Sequence, residues 1–443
     1  MPLVSTTMNP KLSAVILFLS ITFFATAQEN SPFSRYGLGD IYPSQNIINR
    51  AMGSIGSTYA NGQSINLGNP AAYSELKIVT YDIGISLDTR SLRSADPVNK
   101  YSSVNLSPSY LALGMPLNKK RNLGLAFGLK PVSKVSYSIE ERRRIPADSM
   151  QYLYEGDGGL YQAFVGVGKR WGGVRLGINT GYMFGRKENN TVATPVDSVY
   201  AYTSNSQTLT TFNNLFLNAG LQYDAQLSKT TVLRFGLAGN LKQNLKASSQ
   251  INRETFRYDD NGTMVKIDSI SQPPEQKGTI QLPVSYSAGV SINSSVIDHI
   301  GNKFEKSILA IEYESTNWSD YRFFDHSDNL INSWKYKIGW QFTPNPLSTK
   351  SYWNRATYRA GFYYGREPLN ADGNELPVYA VTLGAGLPIR RWSAYDNQYT
   401  IINTTFEIGK RGNKNNNITE NFFSLSFGLN LSDISWFRKR KYD

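Results

Sequence analysis

Apolar and polar residues alternate in fourteen stretches of the chain. In residues 333–342, Ile338 and Trp340 fall on one face, and Lys335 and Lys337 fall on the other. Side chains of a β-strand point alternately to its two faces, so each such stretch is apolar on one face only. Repeated this often in a secreted chain, the pattern predicts an all-β fold, a transmembrane antiparallel up-and-down β-barrel of about fourteen strands.

The connections between these stretches alternate in length over the first half of the chain. Short ones follow the second, fourth and sixth stretches, and long polar ones, such as 251–279, follow the others, as in barrels with short periplasmic turns and long outer loops. Sixteen strands stay open if the segment 250–279 folds back as a hairpin. The predicted strands are 78–89, 104–115, 123–139, 160–168, 173–186, 207–225, 230–250, 280–292, 305–315, 333–342, 355–366, 378–389, 400–410 and 420–431.

The beginning of the chain predicts secretion. Lys11 precedes an apolar run at 12–24, which is too short to span a bilayer and has the length of a signal-peptide core. Ala25-Thr26-Ala27 supplies the small residues that a signal peptidase reads. We expect residues 1–27 to be a signal peptide and the bacterial outer membrane to be the destination; translation could also start at Met8.

Composition and charge fit this destination. The net charge is +12, the chain has no cysteine, and its mean hydropathy of −0.37 suits a barrel that shows half of each strand to lipid. The basic clusters fall at predicted strand ends on one membrane side. They indicate solvated ends or contacts with anionic head groups rather than nucleic acid. The clusters are 119–121, 169–170, 390–391 and 438–441.

Residues 28–77 carry little alternation and are rich in closely spaced glycines, as at 34–39 and 51–56. Glycines permit tight turns and close backbone packing, which an extended arm does not need. We expect a hatch at 28–77 that plugs the barrel formed by 78–443. A flexible periplasmic arm is the alternative.

Three short motifs precede the first predicted strand, at 49–53, 59–62 and Asn69-Pro70-Ala71. With the strand count, they make the chain similar to the FadL-type outer-membrane transporters of long-chain fatty acids and other hydrophobic compounds. The resemblance implies passive uptake through a plugged barrel with a hydrophobic ligand, and a hatch motif at Asn69, Pro70 and Ala71. The family also includes barrels that serve secretion complexes, so the fold carries over more safely than the cargo.

One departure from the family concerns Asn61-Gly62-Gln63, where members usually carry acidic residues. Members are thought to release cargo sideways beside a kinked third strand. In the third predicted strand, Pro131 cannot donate a ladder hydrogen bond and Gly128 would ease a bend, so both are candidates for a lateral gate. An ordinary bulge is the alternative, because Pro108 and Pro283 also fall in predicted strands.

A hydrophobic acid would need a cationic contact for its head group. We select Arg359 and Lys335 as candidates. Acidic residues on the same predicted face could instead pair with the basic ones across the interior. The basic residues of this face are Arg175, Arg234, Lys242, Lys335, Lys337 and Arg359, and the acidic ones are Asp82, Glu312, Glu314 and Glu407.

An enzyme is not predicted. The two histidines are His299, in a predicted turn, and His326, in an outer loop beside Asp325 and Asp328. No nucleophile or second acid is placed to complete a catalytic site. The sequence contains no phosphate-binding glycine loop and no metal-ligand cluster, so no cofactor or metal is expected.

The alternative function is a barrel that docks a protein of the outer membrane or periplasm as an accessory of a secretion or assembly complex. The docking surfaces would be the predicted outer loops 251–279 and 316–332. Exposed aromatic residues in such loops could equally receive an apolar substrate. We expect a monomer surrounded by outer-membrane lipid. The aromatic residues of the second loop are Trp318, Tyr321, Phe323 and Phe324.

Overall fold

The computed structural model describes residues 31–96, 98–145, 148–197, 202–258, 263–299, 301–348, 350–371, 373–389 and 398–433. The predicted signal peptide and the basic clusters 390–391 and 438–441 lie outside these ranges. No helix in the described ranges is long and apolar enough to cross a membrane.

The chain forms one closed antiparallel β-barrel of fourteen strands. Each strand pairs with its neighbours in the chain, and β1 closes the barrel by pairing with β14 along its whole length. The predicted count of fourteen is confirmed. The strands are β1 Val79–Ser94, β2 Asn99–Asn118, β3 Leu123–Ile145, β4 Asp148–Trp171, β5 Val174–Pro195, β6 Thr203–Gln226, β7 Thr231–Asn240 with Gln243–Tyr258, β8 Met264–Ser271 with Gln276–Leu282 and Ser285–Ile297, β9 Lys303–Thr316, β10 Ser333–Phe342, β11 Thr357–Ala371, β12 Asn374–Ile389, β13 Gln398–Arg411 and β14 Ile418–Asp433.

Alternation along each strand separates an apolar outer face from a polar inner one. In β5, Leu176 and Ile178 point outward and are about half exposed, whereas Arg175 points inward and is 1% exposed. Trp171, Trp340 and Tyr364 lie on the outer face, as expected of aromatic girdles. Tyr363, the neighbour of Tyr364 in the chain, is buried on the inner face.

Three strand pairs extend far beyond the length that a membrane requires. A spanning strand needs roughly 9–11 residues, whereas β4 has 24 and β3 has 23. We call residues 134–157, 186–211 and 243–282 the crest, and the opposite end, with its short connections, the turn side.

The crest takes the place of the long polar loops predicted from the sequence. The ladder between β3 and β4 continues to Ile145 and Asp148, through the Glu-Glu-Arg-Arg-Arg run at 140–144. These residues are polar on both faces, so the strand has no alternation to recognise although its backbone groups are paired. The segment 250–279 does form a hairpin. Its strands are the crest parts of β7 and β8, so the count stays at fourteen.

A crease crosses β7 and β8. The ladder stops between Asn240 and Gln243, opposite Pro283, which has no N–H to donate. Inner and outer faces exchange there, because Gly236 faces inward below the crease and Leu245 faces inward above it. Lys242, predicted to face the lumen, is therefore exposed.

The connection between β9 and β10, residues 317–332, folds inward over the crest side of the lumen. Tyr321 is 1% exposed, and Trp318, Phe323 and Phe324 pack against the main apolar cluster inside the barrel. The prediction that these aromatic residues form an exposed docking or landing surface is wrong. Burying the large apolar area of these side chains is more favourable than exposing it to water. The connection can fold inward because its backbone pairs with β8, where Phe323 lies opposite Ile280.

Candidate functional site

The described part of the predicted hatch, residues 31–77, lies inside the barrel, and we call it the inner segment. Its helix α1, Ile47–Arg50, begins at Asn46, whose side chain accepts a hydrogen bond from Asn49 N at 2.9 Å. A 3₁₀ helix, Pro70–Glu75, begins at Asn69 in the same way. Both helices are short, and side-chain caps stabilise them by satisfying N–H groups that have no helical partner.

Buried asparagines fix the path of the inner segment. The Asn66 amide donates to Gly56 O at 2.6 Å and to Tyr59 O at 2.7 Å. The Asn69 amide donates to Ser57 O at 2.7 Å, and its oxygen accepts from Ala71 N at 3.0 Å. The Asn-Pro-Ala motif therefore holds two turns of the segment together. Its role as a transporter hatch motif stays a prediction.

A buried arginine ties the inner segment to the strands that close the barrel. Arg50 is 2% exposed and pairs with Glu407 of β13 at 3.3 Å. It also donates to Ser86 of β1 at 2.8 Å and to Ser424 of β14 at 3.1 Å. Burial opposes the charged form of Arg50, but the carboxylates of Glu407 and Asp88 outweigh it and raise the pKa above its usual value.

A second tie joins the inner segment to β9. One oxygen of Glu312 accepts from the backbone N–H groups of Gly56 and Ser57 at 2.8 and 2.6 Å and from the Ser57 hydroxyl at 2.6 Å. Its other oxygen pairs with Lys337 of β10 at 3.0 Å. A carboxylate that accepts this many hydrogen bonds is well compensated for its burial.

A third tie lies near the turn side. Asp224 of β6 pairs with Arg175 at 2.6 Å and with Arg234 at 2.7 Å, and Arg175 reaches Glu75 of the inner segment at 3.0 Å. The predicted pairing of lumen charges is present here and at Lys337. What the sequence did not show is that the inner segment supplies partners, since Arg50 and Glu75 lie outside any alternating stretch.

Contact between the inner segment and the wall is close enough to require glycine. A Cβ on Gly361 of β11 would lie 2.0 Å from Gly53 N, and Gly53 has a φ of +65°, which L-residues rarely adopt. The backbones therefore touch directly.

The barrel wall is interrupted between β2 and β3. These strands pair from Asn118 and Leu123 only as far as Leu111 and Leu129. Pro108 and Pro131 lie just beyond the last pair on their respective strands, and neither has an N–H to continue the ladder. Toward the crest, the facing edges of β2 and β3 separate. We call this opening the gap.

Residues 31–42, which we call the edge segment, take the place of β2 along β3. Asp40 and Ile41 pair antiparallel with Lys134 and Ser133. Tyr42 N donates to Val132 O at 2.9 Å, and Ser31 N donates to Ser136 O at 2.8 Å.

Tyr42 connects the edge segment to the other side of the gap. Its hydroxyl lies 3.2 Å from the hydroxyls of both Ser107 and Ser109 of β2. Ile41 beside it is 41% exposed. The edge segment thus bridges the gap through backbone pairing with β3 and through the Tyr42 hydroxyl at β2.

An ion-pair cluster fixes Asp40. Its carboxylate pairs with Arg90 of β1 at 2.8 Å and with Arg411 of β13 at 3.3 Å, and it accepts from the Ser31 hydroxyl at 2.5 Å. Burial would raise the pKa of Asp40, but Arg411, Arg90 and Ser31 outweigh it and hold the pKa below its usual value.

A cavity of about 310 Å³ lies at the centre of the lumen. The inner segment, the β3 edge of the gap, and the crease of β7 and β8 all contribute to its wall. It can therefore hold a small ligand of mixed character next to the gap. Lining residues include Leu38, Ile41, Lys130, Gln162, Met183 and Lys335.

The predicted gate residues lie at the gap. A Cβ on Gly128 would lie 2.4 Å from Leu111 O, so the last rungs between β2 and β3 are closely packed. On the other edge of β3, a register shift with β4 falls between Pro131 and Ser133. The structure thus places both residues at a break in the wall. Movement of that break stays a prediction.

The predicted head-group residues are separated from one another. Lys335 lines the cavity but pairs with Glu367 at 3.0 Å. Arg359 is buried, donates to Gln341 at 2.8 Å and to Asn403 at 3.1 Å, and does not line the cavity.

Both histidines lie at the surface of the protein. His299 and His326 are exposed, and Asp328 accepts a hydrogen bond from Gly37 N at 2.7 Å. Within the described ranges, no three metal-ligating side chains come together.

A family model described as BamG matches residues 8–443. The chain belongs to the BamG family. No curated protein matches its sequence. The matched family thus has a different name from the FadL-type transporters. The resemblance of this chain to those transporters is supported at the level of the barrel fold.

Several solved structures share the fold. The Pseudomonas putida toluene transporter TodX is 14% identical, with a TM-score of 0.52 over 90% of this chain and 99% of that one. A Pseudomonas aeruginosa FadL homologue is 12% identical, with a TM-score of 0.52 over 89% and 99%. The Ralstonia pickettii toluene transporter TbuX is 12% identical, with a TM-score of 0.52 over 90% of this chain and 99% of that one. At these identities, the likeness between BamG-family and transporter barrels concerns the fold.

Proposed function

We propose that this protein is an outer-membrane barrel that binds hydrophobic compounds in its central cavity and passes them passively through the gap between β2 and β3. The observation that carries the proposal is the position of the cavity. Ile41 and Tyr42 of the edge segment line the cavity and also cover the gap. Displacing one short segment would connect the cavity with the membrane.

Three further features support the proposal. The chain begins with a predicted signal peptide, and the outer face of the barrel is apolar, as lipid requires. Two barrels with the same fold are described as toluene transporters. The shared fold does not identify the carried compound, which we propose is a long-chain fatty acid or another apolar molecule.

A disulfide across the edge of the gap would test this function. The chain has no cysteine, so Ile41→Cys with Ser133→Cys, which are paired in the structure, would form the only bridge. Radiolabelled oleate and toluene would be followed into liposomes that contain the protein. We expect oxidation to abolish protein-dependent uptake and reduction to restore it.

The matched control places a disulfide where β2 and β3 remain paired. Leu113→Cys with Phe127→Cys bridges the same two strands below the gap. Oxidation should leave its uptake unchanged. Equal uptake in the oxidised and reduced forms of the first variant would contradict lateral passage.

A second candidate is an accessory barrel that docks a partner protein of the outer membrane or periplasm without passing cargo. Two observations favour it: buried ion pairs tie the inner segment to the wall, and the crest extends far beyond the membrane length. Cross-linking in intact cells, followed by purification in mild detergent, would identify a stoichiometric partner. A crest shortened by removing 138–153 should lose that partner but keep any uptake.

A further inference from the structure

One buried lysine differs from the other charged groups of the lumen. Lys130 of β3 is 8% exposed, and no carboxylate of the described residues lies within 4.0 Å of its ammonium. Its hydrogen bonds to the part of the chain that the structure describes reach Ser44 O at 3.4 Å and Leu67 O at 3.5 Å, both longer than usual. A buried charge with so little compensation is costly, so a missing partner is expected.

A second polar side chain lies directly beside it. Gln162 of β4 is the cross-strand partner of Lys130, and paired residues project to the same face of the sheet. Gln162 is 3% exposed, and its amide makes no hydrogen bond to the described residues. An ammonium and an amide donor thus face the cavity together.

The cavity is apolar next to these two donors. Leu38 and Ile41 of the edge segment, Val132 and Leu160 of the wall, and Met183 of β5 all line it. One polar corner beside an apolar surface is the arrangement that an amphiphile fits. The corner lies at Pro131, where the wall between β2 and β3 is open.

We infer that Lys130 and Gln162 form the head-group site for a single-chain anionic amphiphile whose tail lies in the central cavity. A carboxylate or phosphate would accept hydrogen bonds from both side chains and neutralise the lysine. A cavity of about 310 Å³ suits one chain rather than a diacyl lipid. This inference rests on the proposed binding function and adds the charge class of the ligand.

The other lysines of the cavity are already neutralised. Lys335 pairs with Glu367 at 3.0 Å and Lys337 with Glu312 at 3.0 Å. Because these ion pairs neutralise both lysines, neither is expected to attract an anion strongly. Lys130 therefore replaces Lys335 and Arg359 as the cationic contact.

The test compares an acid with its neutral ester. Binding of cis-parinaric acid and of its methyl ester to the purified protein in detergent would be measured by fluorescence. Losing a charge-assisted contact should weaken acid binding to Lys130→Met by about 10- to 100-fold and leave ester binding unchanged. Lys130→Arg should retain most of the acid affinity, and Gln162→Leu should lose less than Lys130→Met.

Lys242→Met is the matched control, because it removes an exposed lysine that does not line the cavity. We expect its acid affinity to change less than about threefold. An equal loss in both lysine variants, or an equal loss for acid and ester, would overturn the assignment. If neither compound binds the wild-type protein, the proposed binding function itself fails.

Folding and the source of the ligand are controlled separately. Lys130→Met removes an uncompensated charge, so its thermal midpoint should equal or exceed that of the wild type. Mass spectrometry of material retained by the purified protein separates a free single-chain acid from a diacyl phospholipid. Retention of the phospholipid by wild type and not by Lys130→Met would contradict the single-chain assignment.

Discussion

The two parts of the inner segment are held to different extents. Residues 45–77 are tied by buried ion pairs and asparagine amides to strands all round the barrel. The edge segment, residues 31–42, pairs with one edge of β3 and reaches β2 through Tyr42, and its ion pairs to the wall are those of Asp40 with Arg90 and Arg411. We propose that the first part is an anchor and the second a removable cover.

The largest expected effect comes from breaking the anchor. Arg50→Met leaves the buried carboxylate of Glu407 without its partner, which should destabilise the barrel by about 3–5 kcal/mol. The thermal midpoint in detergent, followed by circular dichroism, would measure this. Arg186→Met, which removes an exposed pair with Asp157, should cost less than about 1 kcal/mol. Equal midpoints for the two variants would show that Arg50 is not an anchor.

The cover can be displaced without touching the anchor. Gly39 has a φ of +99°, and a Cβ there would lie 2.4 Å from Lys134 O. Gly39→Ala should therefore weaken the seating of the edge segment by about 2 kcal/mol. The reporter is Val135→Cys in this cysteine-free chain, because Val135 is 1% exposed beneath Gly39.

Labelling of that cysteine with a water-soluble maleimide should accelerate by about 30-fold in the Gly39→Ala background. Gly301→Ala has a comparable φ of +87° but no atom within 4 Å of the added Cβ. It serves as the control and should leave the labelling rate unchanged. A labelling rate that does not respond to Gly39→Ala would mean that the edge segment does not cover β3 in solution.

The charge of Asp40 should make a smaller contribution to the stability of the protein. Its pKa is held below the usual 3.8, so its contribution is present above that value and is lost as the pH falls through the lower, folded-state pKa. Asp40→Asn should lower stability by about 1–2 kcal/mol at pH 7. The difference in thermal midpoint from the wild type should shrink as the pH falls below 4. Asp157→Asn, at an exposed pair, should show no such difference.

The smallest effect concerns the bridge across the gap. Tyr42→Phe removes a hydroxyl 3.2 Å from both Ser107 and Ser109, which should cost about 1 kcal/mol. Labelling at Val135→Cys should rise by about fivefold. Tyr36→Phe, 38% exposed in the same segment, provides the control and should not change the rate.

Sequence patterns predicted the barrel better than its site. Alternation located the fourteen strands, because lipid outside and polar groups inside impose a period of two on every spanning strand. It failed in the crest at 140–144, where both faces meet water, and at the crease, where the faces exchange beside Pro283. Pro108 and Pro131 together could have predicted a gap in the wall. The sequence does not show which edge of β3 loses its partner.

What the sequence determined by itself is the wall: strand number, the inward and outward faces, and the prolines that limit pairing. What only the tertiary structure decided is the interior, namely which segment covers the gap, which charges pair, and that no carboxylate among the described residues pairs with Lys130. The physical reason is range. Strand alternation is a local property of consecutive residues, whereas a partner such as Glu407 for Arg50 lies 357 positions away and is set by closure of the barrel.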